Sequence, residues 1–589
     1  MNRKIIAAAV TGSMLLSCVS GFAAGSFTNP GTYSATALGR NGDVTVTATF
    51  SGDAITEISV TSDETPSFGG AAMEQLAQTV LDTQSLALDA VAGATLSSNA
   101  FEEALEDCVK QAGGDVDAMK AVPAEAAATV YDVTEADIII VGAGGAGLTA
   151  AQTALEAGRS VIILEKSGVV GGNSLCSQVG INAAGSKVQE ELGMAYATTE
   201  LLTEAQMAWG GRENLVNAYV QASGETIDWM AESLGITFTG ADSSNVDPAD
   251  PLASVGEDHP SGSDLFMVRA DADGYTALTL VDALDDSVRS LGAILYLNTE
   301  ATELVQDENG TVVGVKAKAA DGTEVTFTGK AVLLATGGFG KNHEMVVEYR
   351  PDFANAITDE TAPTTGDGII MATAIGAKTV DMSEMQTFPH VPVGETWLSP
   401  MAMPGGFMTT AIFVNQDAQR YVQEGFDPSA AGTLQQEHAY VIFGDSDMND
   451  TLKQLEERGT VKSAATVEEL AEKLGLDPTA LAETVEKWNA ACDAGEDTEF
   501  GRQNLKKIEG ETLYGYAFGV GAHYMMGGVL INEKTQVLDE NEQPIAGLYA
   551  AGEVTGGFHG TKRIDGSGTG DAFVFGHLAG EEIAAALAE

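Results

Sequence analysis

The residues best suited to a defined chemistry form a glycine-rich turn followed by one acid. A continuous apolar segment, Ile138–Val141, predicts a buried strand that leads into the sequence GAGGAG at 142–147. A helical pattern comes next, and a second apolar strand, Val161–Leu164, ends at Glu165. Such glycines permit a tight turn and close approach to a pyrophosphate at the helix N-terminus, while the acid binds a ribose hydroxyl. Strand, turn, helix, strand and acid in this order predict a dinucleotide-binding site.

Later segments indicate which dinucleotide is bound. Small residues and amides in 168–174 and 180–186 can lie against the edge of an isoalloxazine ring. Three further segments, 325–340, 364–372 and 545–560, predict strands that lead into glycine turns and close a nucleotide fold around its cofactor. Together they favour FAD over NAD. The predicted FAD contacts are Gly142, Gly144, Gly145, Gly147, Glu165, Lys166, Gly172, Asn173, Ser174, Ala184, Gly185, Asp367, Gly552 and Glu553.

A second candidate is the hydroxyl of Thr95, in the stretch DAVAGATLSSNAF at 89–101. Small residues before it clear space around the hydroxyl, as a covalent modification would need. The alternative is that Thr95, Ser98 or Asn99 only caps the following helix. Asn99 and Glu102 have the spacing of a capping box, and both roles can hold at once.

The elements around Thr95 predict a small α+β unit over 26–113. Alternating residues at 43–50 and 54–60 predict a hairpin, and an amphipathic helix follows Thr95. The segment 114–135 has no strong periodicity and is interpreted as a linker. The N-terminal residues 1–24 have the basic start, apolar middle and small-residue end of an export signal. Cys18 leaves lipid attachment open as an alternative.

Composition disfavours several classes of function. Acidic residues outnumber basic ones 85 to 29, for a net charge of −56, so nucleic acid and anionic membranes would be repelled. No segment after the N-terminus is long and apolar enough to span a bilayer. The cysteines, Cys18, Cys108, Cys176 and Cys492, form no CxxC or CxxCH motif. Neither c-type haem nor a metal site is expected.

Residues from about 137 to 588 resemble the fumarate reductase/flavocytochrome c family, which includes urocanate reductases and, more distantly, 3-ketosteroid dehydrogenases. The matching motifs are GAGGAGLTAA, EKSGVVGGNS, ATGGFG, TTGDG, HYMMGG and GLYAAGEVTGGFHG. The resemblance implies an α/β chain with α+β parts. A Rossmann-like FAD domain, 136–380 and 522–589, would be interrupted by a capping domain over 381–521, with substrate between cap and flavin.

The first unit resembles the FMN-binding domain of electron-transfer flavoproteins, in which FMN is attached through its phosphate to the threonine of D-x-x-[ST]-G-A-T. The match here starts at Asp89 and ends at Thr95, with Ala92 where serine is usual. Ser97 is the second-choice hydroxyl. The resemblance implies a flavin transferase as partner. Electrons would pass from a membrane or extracellular donor to FMN, then to FAD, and leave as hydride.

Reduction of an activated C=C bond needs hydride from the flavin, a proton donor on the opposite face and polarisation of the electron-withdrawing group. In fumarate-type members the resemblance implies an arginine donor soon after Glu424, but the sequence continues with Gly425, Phe426, Asp427 and Pro428. The companion Glu and Arg of the relay also have no counterparts in 399–408. A dicarboxylate such as fumarate is therefore not expected as substrate.

Other positions of the family pocket are partly kept. Tyr524 replaces a substrate-holding histidine, Arg563 matches the carboxylate-binding arginine, and His390 lies about one position from a third substrate histidine. Tyr524 is the preferred proton donor or carbonyl-polarising group, against a structural role as a core tyrosine. Arg563 is expected to contact substrate or flavin, against an ordinary ion pair. The weaker catalytic candidates are His390, Asp427, His523 and His559.

Three functions fit these residues. The preferred one is an exported FMN/FAD reductase of an α,β-unsaturated acid, ester or enone, acting as a terminal reductase in anaerobic extracellular respiration. The second is a dehydrogenase that desaturates a ketone or steroid, which the missing arginine and Tyr524 favour. The third is a flavin electron carrier, which a capping segment of more than a hundred residues disfavours because a carrier needs no lid.

Overall fold

The structure is a computed structural model that describes residues 26–88, 90–91, 94–122, 129–177, 180–240, 263–270, 276–395, 403–405, 409–425 and 429–588. Several predictions fall outside these ranges. They are the export signal with Cys18, the motif residues Asp89 and Ala92, and the catalytic candidate Asp427.

The N-terminal unit is a three-stranded antiparallel sheet covered by helices. Its elements are β1 (Gly31–Leu38), β2 (Asp43–Phe50), β3 (Ile55–Ser62), α1 (Ala71–Thr83), α2 (Thr95–Gln111) and α3 (Val116–Lys120). The predicted hairpin is confirmed as β2 and β3. The capping-box prediction is wrong, because α2 already begins at Thr95 and Asn99 lies inside it. The predicted linker contains α3, whose Asp115 caps its N-terminus.

The next part of the chain builds the nucleotide fold. Its elements are β4 (Ile138–Val141), α4 (Gly145–Glu156), β5 (Val161–Leu164), β6 (Ile181–Asn182), α5 (Lys187–Glu191), α6 (Thr199–Met207), α7 (Glu213–Ser233), β7 (Thr239–Gly240), α8 (Ser263–Phe266), β8 (Met267–Arg269), α9 (Thr276–Ser290), β9 (Ile294–Tyr296), β10 (Thr299–Gln306), β11 (Val312–Ala319), β12 (Glu324–Thr328), β13 (Ala331–Leu334), α10 (His343–Tyr349), β14 (Ile357–Thr358), α11 (Asp367–Ala374) and β15 (Thr379–Val380).

The remaining elements are β16 (Met385–Pro392), β17 (Ile412–Asn415), α12 (Ser429–Thr433), β18 (Ala439–Gly444), α13 (Asp450–Glu457), β19 (Lys462–Ala464), α14 (Val467–Leu474), α15 (Pro478–Ala494), β20 (Leu513–Met525), β21 (Gly528–Leu530), β22 (Gln536–Leu538), β23 (Pro544–Ala550), β24 (Thr555–Gly556) and α16 (Ser567–Ala586).

The central sheet has the strand order β22-β23-β13-β4-β5-β9, and all its neighbours are parallel except β22 and β23. Strands β4, β5 and β13 are buried along their whole length, which is why they read as continuous apolar runs. The C-terminal helix α16 returns to pack on α4, where a Cβ on Gly576 would lie 2.6 Å from the carbonyl oxygen of Ala146. The predicted α/β class, with α+β parts, is confirmed.

The segment between these halves forms a second sheet around β20. Its order is β14-β20-β18-β17, and β16 and β19 also pair with β20. Strand β20 begins among the apolar residues of this segment and ends at Met525, beside the nucleotide fold. It therefore crosses the predicted boundary between 521 and 522, and carries residues from the segment's core into the region of Tyr524.

The N-terminal unit packs against both other parts. A single buried apolar cluster joins Val91 of this unit to the strands of the central sheet. A Cβ on Gly168, in the loop after β5, would lie 2.6 Å from Cγ1 of Val91. On another side, Arg458 Nη2 donates to the carbonyl oxygen of Arg40 over 2.5 Å. Across the described ranges, no helix combines the length and apolar character needed to cross a membrane.

Candidate active site

The glycine turn after β4 has the geometry of a phosphate cradle. Gly142 has φ 105°, and a Cβ there would lie 2.2 Å from the carbonyl oxygen of Ala335, so only glycine fits. Helix α4 starts at Gly145, and its N-cap, Gly144, supplies no side-chain cap. The first-turn N–H groups of a helix have no intrahelical acceptor and the dipole favours an anion there, so this end fits a pyrophosphate.

Glu165 closes the turn from the second strand. The N–H of Ala143 donates to its Oε2 over 2.9 Å, and the N–H of Ser167 donates to its Oε1 over 2.8 Å. Burial nevertheless raises the pKa of Glu165. Each oxygen keeps a second lone pair for a ribose hydroxyl.

Lys166 and Asp367, both predicted FAD contacts, bind each other. Lys166 Nζ donates to Asp367 Oδ2 over 2.5 Å and to Thr365 Oγ1 over 2.6 Å. Asp367 is the first residue of α11, where a carboxylate is favoured by the helix dipole. The pair holds the segment 364–372 against the end of β5.

Asn173 and Ser174 join the two loops nearest the turn. The N–H of Gly145 donates to Ser174 Oγ over 3.1 Å. Asn173 Oδ1 accepts from the N–H and the hydroxyl of Thr361, at 2.9 and 2.6 Å. Gly172, with φ 49°, leaves open space where a Cβ would stand.

Three further predicted contacts, Glu553, Ala184 and Gly185, are held by neighbouring elements of the nucleotide fold. Glu553 Oε1 accepts the N–H of Met525 over 2.9 Å, and burial raises the pKa of Glu553 to about 7. Ala184 and Gly185 lie against α7, where a Cβ on Gly224 would approach the carbonyl oxygen of Ala184 to 2.4 Å. The hydroxyl of Thr336 is buried without a protein partner. A helix that begins with glycines, an open position at Gly172 and an orphaned hydroxyl at Thr336 together fit an extended polar cofactor such as FAD.

Thr95 is placed as an attachment site requires. It is exposed at the first turn of α2, whose N-cap Ala94 gives no side-chain cap. The alternative hydroxyl, Ser97, is buried and donates to Glu64 Oε2 over 2.7 Å. Ser98 is also buried and donates to the carbonyl oxygen of Ala94. A phosphate on Thr95 would be favoured by the helix dipole, so the unit fits an FMN held there.

Tyr524 lies in a buried polar cluster at the end of β20. Its hydroxyl donates to Asp571 Oδ2 over 2.6 Å, and His559 Nε2 lies 3.3 Å from the same oxygen. Burial and the charge of Asp571 raise the pKa of Tyr524 well above its usual value, and burial lowers the pKa of His559. The phenol is thereby a strong hydrogen-bond donor to Asp571 and a weak acid.

Arg563 is held from two sides. Its guanidinium stacks on the ring of Tyr524, 4.7 Å from the centroid, and its Nε donates to Gln386 Oε1 over 2.7 Å. The residue is only 6 % exposed. Among the described residues, no carboxylate lies within ion-pair distance of it. The guanidinium can therefore bind a carboxylate or carbonyl of a substrate.

Sequence reasoning missed Gln386 and Asp571. Asp571 is an isolated acid in the apolar first half of α16, which is the signal that could have found it. Gln386 is polar within β16 and pairs with Tyr524 across the sheet, but no local pattern marks it.

The structure does not bring His390 to this cluster. His390 is fully buried between Phe413 and Phe518, and its Nε2 lies 2.6 Å from the hydroxyl of Tyr516. Burial lowers its pKa to about 3. It lies four residues beyond Gln386 on β16, roughly 13 Å along the strand. The prediction of a substrate contact at His390 is corrected to a neutral core histidine.

His523, a weaker candidate, stands beside Tyr524 and binds a buried acid. Its Nδ1 lies 2.9 Å from Oδ2 of Asp359, which is fully buried. Its ring stacks on Phe388 with 3.8 Å between centroids.

A cavity of 280 Å³ adjoins this acid, lined by Lys341, His343 and Ala522 among others. Burial lowers the pKa of Lys341. Burial and the charges of Glu553 and Asp359 raise the pKa of Glu360, which adjoins Asp359 in sequence. Over the described residues, no group of histidines, cysteines and acids could hold a metal ion.

Comparison with known proteins identifies this architecture. A family model described as FAD binding domain matches residues 137–569, and one described as FMN-binding domain matches residues 39–110. The chain belongs to the FAD binding domain family. It is an FAD-dependent oxidoreductase that acts on CH–CH bonds, with FAD and FMN as its cofactors.

The most similar relatives include reductases of unsaturated acids. The chain is 34% identical over 580 residues to a urocanate reductase of Eggerthella lenta, covering 94% of this chain and 92% of the relative. It is 32% identical to an NADH:acrylate oxidoreductase of Vibrio harveyi, covering 94% of this chain but only 61% of that protein. The open conformation of a flavocytochrome c3 fumarate reductase superposes with a TM-score of 0.68 at 31% identity, covering 77% of this chain and 78% of that one.

Proposed function

We propose that this family member is an exported reductase of the activated C=C bond in a small α,β-unsaturated acid or enone. The observation that carries the proposal is Arg563, a buried arginine that Gln386 and the Tyr524 ring hold in place without an acidic partner among the described residues. The charges of Asp571 and Glu553 act on the same cluster but neither acid reaches ion-pair distance of Arg563, so the guanidinium keeps donors for the anion of a ligand. A carboxylate conjugated to the alkene would supply that anion, and its negative charge would be stabilised as it becomes electron-rich during reduction.

When bound, FAD supplies the hydride. The chain's own residues hold it: Gly142, Gly144 and the start of α4 would take the pyrophosphate, and Glu165 the ribose. Arg563 would orient the substrate so that the alkene lies against the flavin. Tyr524, fixed by Asp571, keeps the guanidinium from turning away. One cationic group suits one carboxylate or carbonyl, which supports a monoacid or enone over a dicarboxylate.

The proposed electron path begins at an FMN attached to Thr95 by a flavin transferase. Thr95 is four residues after Val91 in the sequence, and Val91 packs against Gly168 in the loop after β5. The attachment site therefore lies at the junction with the nucleotide fold, which supports transfer from FMN to FAD. We propose that a membrane or extracellular donor reduces the FMN. The protein would act outside the cytoplasm, either anchored through Cys18 or released by cleavage. In this place it would serve anaerobic respiration.

The test is anaerobic reoxidation of the dithionite-reduced, FMN-loaded protein by a panel of substrates. The panel pairs unsaturated acids (urocanate, acrylate, cinnamate, fumarate) with neutral enones. We expect rapid reoxidation by a monoacid, and a loss of about 10²-fold in kcat/KM in Arg563→Gln. The matched control is Arg289→Gln, an exposed arginine of α9. If no member reoxidises the protein while a saturated ketone bleaches the oxidised flavin, the chain is a dehydrogenase instead.

A further inference from the structure

The reduction needs a proton donor, and the described cluster disfavours most of the candidates. Tyr524 gives its hydroxyl hydrogen to Asp571, and loss of that proton would place a phenolate beside a buried carboxylate. His390 is enclosed in the core of the second sheet, against Phe413 and Phe518. His559 is buried next to the same Tyr524 hydroxyl.

His523 differs from these in its backbone setting. Strand β16 pairs Gln386 with Tyr524 and Thr387 with Ala522, so His523 is an extra residue in β20, a β-bulge. A bulge turns a side chain away from the regular alternation, and bulges are common next to active sites. The bulge explains how His523 and Tyr524, neighbours in a strand, can both serve one site.

The side chain of His523 is fixed on two sides. Asp359, at the end of β14, lies 2.9 Å from Nδ1, and Phe388 of β16 stacks on the ring. A carboxylate is an acceptor only, so the Nδ1 hydrogen points to Asp359. Any proton that His523 gives to another molecule must therefore leave from Nε2.

The position of His523 relative to Arg563 matches the size of a small substrate. Gln386, which holds Arg563, and Phe388, which stacks on His523, are two residues apart on one face of β16. Such residues are separated by roughly 7 Å. A carboxylate bound at Arg563 would thus place its conjugated alkene near the imidazole ring.

Resting on the proposed function, we propose that His523 is the proton donor of the reaction and that Asp359 is its positioning residue. The C=C π bond breaks as one carbon takes hydride, with both electrons, from the reduced flavin. The other carbon takes the proton from Nε2 of the imidazolium, so two C–H bonds form and one N–H bond breaks. Neutral His523 then regains a proton from solvent. Charged groups near Asp359 include Glu360 and Lys341, and Glu553 acts in turn on Glu360.

The experiment measures turnover with reduced methyl viologen, using the panel member that the wild type reduces. We expect His523→Ala to lower kcat about 10²-fold or more, with KM changed only a few-fold. Exogenous imidazole should raise the kcat of this variant by at least about tenfold. Asp359→Asn is expected to lower kcat in the wild-type background. In the His523→Ala background it should lower kcat little further, because the two residues act as a pair. His438→Gln, an exposed histidine, is the matched control.

Each other outcome has a definite meaning. Turnover of His523→Ala near that of the wild type overturns the assignment. So does a loss of turnover that imidazole does not reverse while FAD content and ferricyanide reoxidation stay normal. If His523→Ala fails to retain FAD, kcat and KM are measured instead for His523→Gln and Asp359→Asn. A kcat equal to that of the wild type in these variants would also overturn the assignment of His523. Failure of the proposed function is distinct, because the wild type itself would then reduce no panel member.

Discussion

The hydroxyl of Tyr524 donates to Asp571 across 2.6 Å, joining the end of β20 to the first turns of α16. The same tyrosine supports Arg563 with its ring. Tyr524 thus contacts Asp571 through its hydroxyl and Arg563 through its ring. It therefore fixes the positions of a buried acid and a buried arginine relative to each other.

Tyr524→Phe separates these two contributions. The ring under Arg563 remains, but Asp571 loses its short hydrogen bond and keeps only His559, whose Nε2 lies 3.6 Å from Oδ2. Loss of a hydrogen bond to a buried acid costs roughly 1–3 kcal/mol. We expect KM to rise about tenfold, with kcat reduced less than in His523→Ala. Steady-state kinetics of both variants make the comparison. A fall of more than about 10²-fold in kcat alone would instead identify Tyr524 as the proton donor.

Gln386→Leu removes the acceptor for Nε of Arg563 while keeping a side chain of similar length in β16. The guanidinium is then held by the Tyr524 ring alone, so we expect KM for the acidic substrate to rise about tenfold. A neutral enone of the panel should be affected less. Equal losses for acid and enone would show that Gln386 supports the sheet and not the carboxylate site.

Thr95→Ala tests the covalent flavin. We expect the fluorescence of flavin in a denaturing gel to disappear, while FAD released by heating stays equimolar with protein. Ser97→Ala is the matched control, because that hydroxyl is buried against Glu64 and should leave the fluorescent band intact. Fluorescence that persists in Thr95→Ala would place the attachment elsewhere.

Gly142→Ala should abolish FAD binding, since its Cβ would overlap the carbonyl oxygen of Ala335 at 2.2 Å. Gly158→Ala is the control: Gly158 also has positive φ, at 77°, but its Cβ would meet open space. The ratio of FAD to protein after purification separates steric overlap from strain at positive φ. If both variants lose FAD equally, the loss is caused by backbone strain at positive φ and not by overlap with Ala335.

The contribution of Glu553 to stability should decline as pH rises towards and through neutrality. Burial raises the pKa of Glu553 to about 7, so the folded state holds a proton that the unfolded state releases near pH 4–5. The stabilisation is complete below that range and is lost as pH rises through about 7. Glu360, whose pKa burial also raises, acts in the same direction. Buried His390 and His559, whose pKa burial lowers, act in the opposite direction below about pH 6.5. The measurement is therefore the thermal midpoint of each variant minus that of the wild type, from pH 5 to 8. This difference should rise with pH for Glu553→Gln and stay flat for the exposed Glu457→Gln.

The nucleotide fold could be predicted from sequence because its signals are local. Buried strands of four residues, a turn that only glycine can form and an acid at the next strand end all lie within 138–165. The exposed Thr95 at a small-residue turn is equally local. Candidate residues such as Tyr524 and Arg563 were identifiable because they stand in motifs that the family shares.

The partners of those candidates depend on the tertiary structure. Asp571 is 47 residues from Tyr524, Gln386 is 177 from Arg563, and Asp359 is 164 from His523. Asp359 reaches His523 because β14 pairs with β20, and Gln386 lies beside Tyr524 because β16 pairs with β20 with a bulge at His523. Asp571 and Arg563 come from α16 and the loop before it, which pack against this end of the sheet. The same register places His390 in the core and not at the site. The residue types in the sequence determined which chemistry was available. The register of the strands decided which side chains meet, because a shift of one residue moves every side chain of a strand to the opposite face of the sheet.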